Sequence, residues 1–268
     1  MSHEKKSASH SFLVAFCVII VALTIMVLPL FYMAQAARES AKRMQCSGNS
    51  KGIGLGFQNY YDTHKTFPPA YSVDENGKPL HSWRVLILPY MEQRSLYDKI
   101  RLDEPWDSDY NKQFHSMRPR VYACPSDYAN CKEYSQKGDK SDIYTNYVRI
   151  VGEGTITNGP DSVSLDEIED YPNKIFFVET TRRICWMEPE DLKLEDLDLP
   201  IPRYPKDNSK VGISSYHPDD VIVVTTENAV FSIPKKTSPE SFKAAAMIKG
   251  KVPSPTLHEI EESSYQKR

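Results

Sequence analysis

An uncharged apolar run near the N-terminus constrains the fold more than any other feature of this sequence. Residues 12–34 (FLVAFCVIIVALTIMVLPLFYMA) contain no charged side chain. An α-helix rises about 1.5 Å per residue, so a run of this length reaches roughly 34 Å, enough to cross the hydrocarbon core of a bilayer. Pro29 is compatible with such a helix, because membrane helices accommodate proline kinks. We therefore predict a transmembrane helix over 12–34, preceded by a short, disordered cytoplasmic tail over residues 1–11.

A cleaved signal peptide is the alternative interpretation of the same stretch. Lys5 and Lys6 would form its basic region, and Ala34-Gln35-Ala36 is an acceptable cleavage site. The apolar run is longer than the roughly 7–15 residues usual in signal peptides, which favours an uncleaved anchor. Basic residues lie on both sides of the run, so charge alone leaves the membrane orientation open.

Charge and cysteine content limit the possible partners and the compartment. The chain has 33 Lys and Arg against 36 Asp and Glu, which predicts no nucleic-acid partner. Disulfides persist in oxidising compartments, so a set of cysteines outside the apolar run favours an extracytoplasmic domain. Four such cysteines can pair in three ways. Their spacing contains no C-x-x-C and no nearby histidine pair, so we predict no zinc site. The five cysteines of the chain are Cys17, Cys46, Cys124, Cys131 and Cys185.

The helix is expected to continue beyond the membrane into a folded domain. Ile53, Phe57, Tyr60 and His64 recur at helical spacing and predict a face that packs against a sheet. Interior glycines cost a helix about 1 kcal/mol each relative to alanine, so this section requires tight packing to hold. The glycines in these turns are at positions 48, 52, 54 and 56.

After residue 64 the pattern predicts short helices, strands and loops. Pro68 and Pro69 end the helix and start an extended segment. Apolar runs rich in β-branched and aromatic residues indicate the strands. We predict strands over 82–88, 143–151 and 175–179, a strand over 183–187 pairing with the last of these, hairpin strands over 221–225 and 229–233, helices over 90–100, 111–117 and 238–250, a covering loop over 188–205 and a flexible tail over 251–268.

The sequence predicts neither catalytic machinery nor a cofactor. It has no H-E-x-x-H, no P-loop and no G-x-S-x-G elbow. The segment 217–220 (HPDD) places a histidine beside two carboxylates and could bind a cation, but a capped turn before the last hairpin is the favoured interpretation. We predict a non-enzymatic protein without cofactor or metal.

Several blocks in one order carry a resemblance to a known family. They are 37–46 (ARESAKRMQC), 53–55 (IGL), 59–62 (NYYD), 67–69 (FPP), 82–93 (SWRVLILPYMEQ), 124–127 (CPSD), 177–179 (FVE), 186–192 (WMEPEDL) and 215–218 (SYHP). The chain resembles the large bacterial family called domain of unknown function 1559, whose members look like type IV pilins and type II secretion pseudopilins. The resemblance spans about residues 29–250. The motif residues that carry it are Arg38, Pro68, Pro69, Trp83, Pro89, Glu92, Pro125, Asp127, Trp186, Glu188, Pro189 and His217.

The resemblance implies an α+β, pilin-like fold, in which a long N-terminal transmembrane helix continues onto an antiparallel sheet. The pilin-like domain would occupy residues 35–250 outside the cytoplasm. The family's two recurrent cysteines match Cys46 and Cys124, which implies a disulfide between them. A Cys124–Cys131 pair is the local alternative.

The implied function is a single-pass, membrane-anchored pseudopilin-like protein of the cell envelope, structural or secretion-associated. It would contact the membrane and associate with itself or other pilin-like subunits through residues 12–45. The alternative is a membrane-anchored extracytoplasmic enzyme or ligand-binding domain on a pilin-like scaffold. The family's leader glycine is missing from residues 1–16 and its early glutamate from residues 12–34, so we expect a divergent member that stays an uncleaved anchor.

Overall fold

The computed structural model describes residues 2–127, 143–168, 174–198, 201 and 212–247, and side chains from residue 16 onward. The chain divides into two compact units, Met1–Arg43 and Met44–Arg268. The predicted tail over 251–268 and Cys131 lie outside the described residues.

The first unit consists of the N-terminal part of helix α1, which runs from Ser2 to His64 and contains Pro29. This helix is long and apolar enough to cross a membrane. Every side chain over residues 16–34 is exposed, so none of this apolar surface is used in a protein core. The helix begins at Ser2, so the prediction of a disordered tail over residues 1–11 is wrong. Good helix formers in that tail, including Glu4, Lys5 and Lys6, explain the extension.

The second unit is a sheet domain that contains the C-terminal part of α1. Its five-stranded sheet has the order β5-β3-β4-β6-β7, antiparallel except for the parallel pair β3–β5, and β1 and β2 form a separate antiparallel pair. The predicted α+β class is confirmed. The strands are β1 (Tyr71–Val73), β2 (Pro79–Ser82), β3 (Tyr144–Val151), β4 (Ile175–Cys185), β5 (Leu192–Lys193), β6 (Asp220–Thr225) and β7 (Val230–Pro234). Helix α1 is followed by α2 (Trp83–Leu86), α3 (Arg94–Tyr97) and α4 (Pro239–Ala246). Further 3-10 helices cover Leu88–Met91, Asn111–Met117, Arg120–Tyr122, Leu165–Glu167 and Leu194–Asp198.

The end of α1 packs against the aromatic core of the domain. The ring of Phe57 lies 4.9 Å from that of Trp83 and 4.5 Å from that of Phe176, measured between centroids. Irregular pairing between Ile175 and Phe177 interrupts the alternation of β4, and both Phe176 and Phe177 belong to this core. The predicted helix face is therefore confirmed at Ile53 and Phe57, whereas Tyr60 is half-buried and the prediction is wrong for His64, which is exposed.

A second apolar cluster involves strands β3, β4, β6 and β7 together with α4. Ser238 caps α4 by accepting a hydrogen bond from the Ser241 amide, and Pro239 is its first residue, as predicted. Phe242 and Ala245 of this helix pack with Val178 of β4. The central strands of this sheet carry apolar side chains at consecutive positions, because some of these side chains belong to the aromatic core and others to the second apolar cluster.

The predicted strand over 82–88 is wrong, because this segment is helical. The side chain of Ser82 accepts a hydrogen bond from the Arg84 amide and starts α2. A short apolar run does not distinguish a strand from a buried helical turn. The predicted helix over 90–100 is also divided, since Glu92 adopts a left-handed φ of 59° between the 3-10 helix Leu88–Met91 and α3.

The prediction that 183–187 pairs with 175–179 is wrong as well. Residues 175–179 and 183–185 lie on one long strand, β4, which pairs with β3 through Tyr144↔Cys185 and Val148↔Val178. The predicted loop over 188–205 contains β5 and the 3-10 helix Leu194–Asp198. The strand over 143–151, the helical segment 111–117 and the hairpin β6–β7 are confirmed.

Gly56 allows close packing between α1 and the 3-10 helix Leu88–Met91. A Cβ atom there would lie 2.5 Å from Met91 Cγ. We expect Gly56→Ala to lower the free energy of unfolding of the full chain in detergent by about 1–3 kcal/mol, because overpacking outweighs the gain in helix propensity. Gly48 of the same helix has nothing within 4 Å of such an atom. Gly48→Ala should therefore stabilise by about 0.5–1 kcal/mol, and equal effects at both positions would contradict the packing argument.

Candidate functional site

Four chemically reactive side chains meet inside the sheet domain, and we call them the thiol cluster. Cys46 comes from α1, Cys124 from the segment after the 3-10 helix Arg120–Tyr122, Glu179 from β4 and His217 from the segment before β6. None of the four residues is more than 2% exposed. The cluster is therefore enclosed in the protein and assembled from four separate parts of the chain.

The potential ligand atoms of the thiol cluster all lie within 4.8 Å of one another. The sulfur atoms of Cys46 and Cys124 are 2.8 Å apart. The Nε2 atom of His217 is 3.7 Å from the Cys124 sulfur and 3.9 Å from Oε1 of Glu179. Two sulfurs, an imidazole nitrogen and a carboxylate oxygen thus converge on one small volume.

Both cysteines of the predicted disulfide are in this cluster, but the structure has no bond between them. Cys46 and Cys124 are free thiols, and a disulfide would place their sulfurs about 2.05 Å apart. The resemblance thus identified which two cysteines meet, while the disulfide itself stays a prediction.

Hydrogen bonds from the sheet hold the cluster in position. The Cys124 amide donates to Oδ1 of Asn146 over 2.8 Å. The hydroxyl of Tyr147 donates to the carbonyl oxygen of Cys46 over 3.3 Å. The amide of Ile222 donates to Oε2 of Glu179 over 3.0 Å, and Oε1 of the same carboxyl group makes no hydrogen bond. One carboxylate oxygen is fixed, and the other is the atom that lies within the cluster.

Burial and the neighbouring groups shift the protonation equilibria of the cluster. For Cys124, burial opposes ionisation, but hydrogen bonds from Cys46 and His217 outweigh it and lower its pKa to about 6. The hydrogen bond to Cys124, together with burial, raises the pKa of Cys46. Burial, assisted by the charge of Cys124, raises the pKa of Glu179 to about 7. Of the two thiols, Cys124 is therefore the one that ionises more readily.

A second buried polar group joins the segment that follows β2 to the segment before β5. The guanidinium of Arg84 lies 2.7 Å from Oδ1 of Asp191, and both side chains are at most 3% exposed. The indole of Trp83 and the amide of Arg149 donate to the same carboxylate over 3.1 Å and 2.9 Å. Burial raises the pKa of Asp191, although Arg84 opposes this shift. Because every polar partner is part of the fold, we interpret this group as structural.

The structure brings some of the motif residues to these two sites. His217 belongs to the thiol cluster, and Trp83 contacts the buried ion pair. Pro125 and Asp127 follow Cys124 directly, and the Asp127 amide donates to the Cys124 carbonyl over 3.0 Å. The carbonyl of Pro68 accepts a hydrogen bond from the Arg149 guanidinium over 2.7 Å.

The other motif residues lie elsewhere in the described part of the chain. The indole of Trp186 donates to the His115 carbonyl, and Oε2 of Glu188 accepts from the Cys185 amide, so both stabilise local structure. Arg38 is exposed on α1, and Glu92 is the exposed left-handed residue described above. The half-buried prolines of the motif set are Pro69, Pro89 and Pro189.

The sequence pointed to three members of the thiol cluster, but it did not predict that all three lie close together. Cys46 and Cys124 were expected to pair, and His217 was expected to sit in a turn. Glu179 lay in a predicted strand and in the family block 177–179, but neither marks it as a ligand. Metal sites are recognised in sequences by short ligand spacings, whereas the two cysteines here are 78 residues apart.

Comparison with known proteins gives one match. The model of the family described as "Protein of unknown function (DUF1559)" matches residues 35–183. No curated protein and no solved structure matches the chain.

Proposed function

Since the chain belongs to the DUF1559 family, whose model matches more than half of it, we propose that it is a non-enzymatic, single-pass membrane-anchored protein of pseudopilin type. Its role would be structural or secretion-associated, in the cell envelope. The observation that carries the proposal is the single helix α1, which contains an exposed apolar segment over 16–34 and buried core residues such as Phe57.

The exposed apolar segment supports membrane anchoring. Contiguous apolar surface of this length is costly in water and is typical of a membrane-spanning helix. The sheet domain has its own aromatic and aliphatic clusters, built from residues between Ile53 and Ala246. The apolar segment is therefore not needed to complete that core, and a bilayer is the environment that fits it.

The enclosed character of the thiol cluster supports a role other than catalysis. A catalytic group must contact its substrate, and each residue of the thiol cluster is at most 2% exposed. The buried ion pair is satisfied by groups of the fold. We propose that the sheet domain lies outside the cytoplasm and that residues 12–45 contact the membrane and other pilin-like subunits.

The anchor is tested by placing charges in the apolar segment of the full chain. Val21 and Ile25 are 56% and 69% exposed. A charged residue at the centre of a membrane helix costs about 2.5–3.5 kcal/mol. We expect the wild-type chain to resist carbonate extraction of membranes and the double variant Val21→Arg/Ile25→Arg to move into the soluble fraction. Intact mass of the wild type should correspond to an uncleaved chain.

Met117 provides the matched control, because it is an exposed apolar residue of the sheet domain, at 51%. Met117→Arg should leave the chain in the membrane.

Cross-linking then distinguishes the two functional hypotheses. A photo-reactive residue at Met33 should link neighbouring copies or other subunits if the protein is of pseudopilin type. A chain that is anchored but never cross-links through 12–45 would favour the alternative of an anchored enzyme or ligand-binding domain.

A further inference from the structure

We propose that the thiol cluster is a structural zinc site. This inference goes beyond the proposed anchoring role and does not depend on it, because all four residues belong to the sheet domain. The bound ion would connect α1, the segment at Cys124, strand β4 and the segment before β6.

The donor set of the cluster matches the chemistry of zinc. Protein zinc sites use cysteine sulfur, histidine nitrogen and carboxylate oxygen, and structural sites are closed and four-coordinate. Calcium and magnesium prefer oxygen ligands throughout, and sulfur ligands disfavour both. Two sulfurs with one imidazole and one carboxylate therefore select a borderline-soft ion.

The spacing of the donor atoms is close to that of a tetrahedral site. Zinc–ligand bonds of about 2.0–2.3 Å imply separations between ligand atoms of roughly 3.3–3.8 Å. The His217 nitrogen lies 3.7 Å from the Cys124 sulfur and 3.9 Å from Glu179 Oε1. The two sulfurs, at 2.8 Å, must separate by about 1 Å, and the remaining pairs of donor atoms lie within 4.8 Å of one another. Rotation of a cysteine side chain provides a movement of this size.

The carboxyl group of Glu179 is the independent observation that points to a cation. The residue is 1% exposed, and its Oε1 atom has no hydrogen-bond partner. A buried polar atom without a partner costs about 1–3 kcal/mol, and more when it is charged. This oxygen lies within the cluster, so coordination of a divalent ion would satisfy it and would also balance the charge of the thiolates.

Hydrogen-bond partners outside the cluster hold its potential ligands in position, as the groups around the ligands of a metal ion usually do. Asn146 fixes the backbone at Cys124, and the Ile222 amide occupies the other oxygen of Glu179. Such outer contacts orient ligands before the metal arrives and reduce the cost of binding. A zinc ion and the predicted Cys46–Cys124 disulfide exclude each other, because the bond would remove both thiolates.

The test uses the full chain, extracted from membranes in detergent without reductant or chelator. We expect one zinc per chain by elemental analysis after gel filtration. Replacement by Co²⁺ should give the visible absorption of tetrahedral cobalt and a near-ultraviolet thiolate charge-transfer band. Cys124→Ser and His217→Ala should each lower the affinity for Zn²⁺ at least tenfold.

Two further variants separate a specific site from loss of folding. Cys185→Ser removes a buried thiol outside the cluster and should retain zinc and the cobalt spectrum. Glu179→Gln keeps the size of the side chain and should shift the cobalt spectrum while near-ultraviolet circular dichroism stays native. Zinc retained by a folded double variant Cys124→Ser/His217→Ala would indicate an adventitious ion only and overturn the proposal. A wild-type chain that lacks zinc and in which peptide mapping shows a Cys46–Cys124 bond would overturn it in favour of the disulfide.

Discussion

Arg84→Met is expected to lower the free energy of unfolding by about 3–5 kcal/mol, because it leaves the Asp191 carboxylate buried without its charged partner. The two side chains are 0% and 3% exposed and 2.7 Å apart. The indole of Trp83 and the amide of Arg149 would still donate to the carboxylate. The charge of the Arg149 guanidinium also acts on Asp191, but its effect is weaker than that of Arg84. Urea unfolding of the full chain in detergent, followed by tryptophan fluorescence, measures the effect.

The exposed pair Arg94–Asp98 supplies the control for this prediction. Its charged atoms are 2.9 Å apart, but the side chains are 71% and 56% exposed. Exposed pairs of this spacing contribute about 0.5 kcal/mol or less, so Arg94→Met should have a small effect. If both substitutions cost the same, burial of the Arg84 pair would not be the cause.

The pH dependence of the Arg84→Met effect follows from the pKa of Asp191. Burial raises that pKa above its ordinary value, and Arg84 counteracts the rise, so the substitution raises it further. A carboxyl group whose folded-state pKa is raised loses its contribution to stability as the pH rises through that pKa. The difference between variant and wild type should therefore be larger at about pH 8 than at about pH 5.

Phe57→Ala is the second substitution for which a large effect is expected, a loss of about 3–5 kcal/mol. The side chain is 1% exposed and contacts the rings of Trp83 and Phe176, so its removal leaves a cavity between α1 and the aromatic core. The same urea unfolding of the full chain measures it, with the slope of the transition compared to the wild type to confirm that the folded state is unchanged.

Leu55 lies two positions from Phe57 on the same helix and is 53% exposed. Leu55→Ala should change the free energy of unfolding by about 0.5 kcal/mol at most. Alanine is the better helix former at both positions, so helix propensity cannot cause a loss at either. A loss at Leu55 similar to that at Phe57 would therefore contradict the argument from burial of the side chain.

The sequence alone determined the features that depend on neighbouring residues. The uncharged run over 12–34 gave a membrane-length helix, and helical spacing at Ile53 and Phe57 identified the face that is buried. The hairpin β6–β7 and the Ser238 cap of α4 followed from local patterns in the same way. Periodicity and capping act over a few residues, so they can be read directly from the chain.

Tertiary structure decided the features that depend on residues far apart in the chain. The segment that starts at Trp83 looked like a buried strand, but the Ser82 cap and the ion pair of Arg84 with Asp191 favour a helical turn. The thiol cluster needed the close approach of α1, β4 and two connecting segments before its donors could meet. Such contacts arise from tertiary packing. The residues involved are far apart in the chain, so the sequence pattern around one of them does not indicate which other residues it will contact.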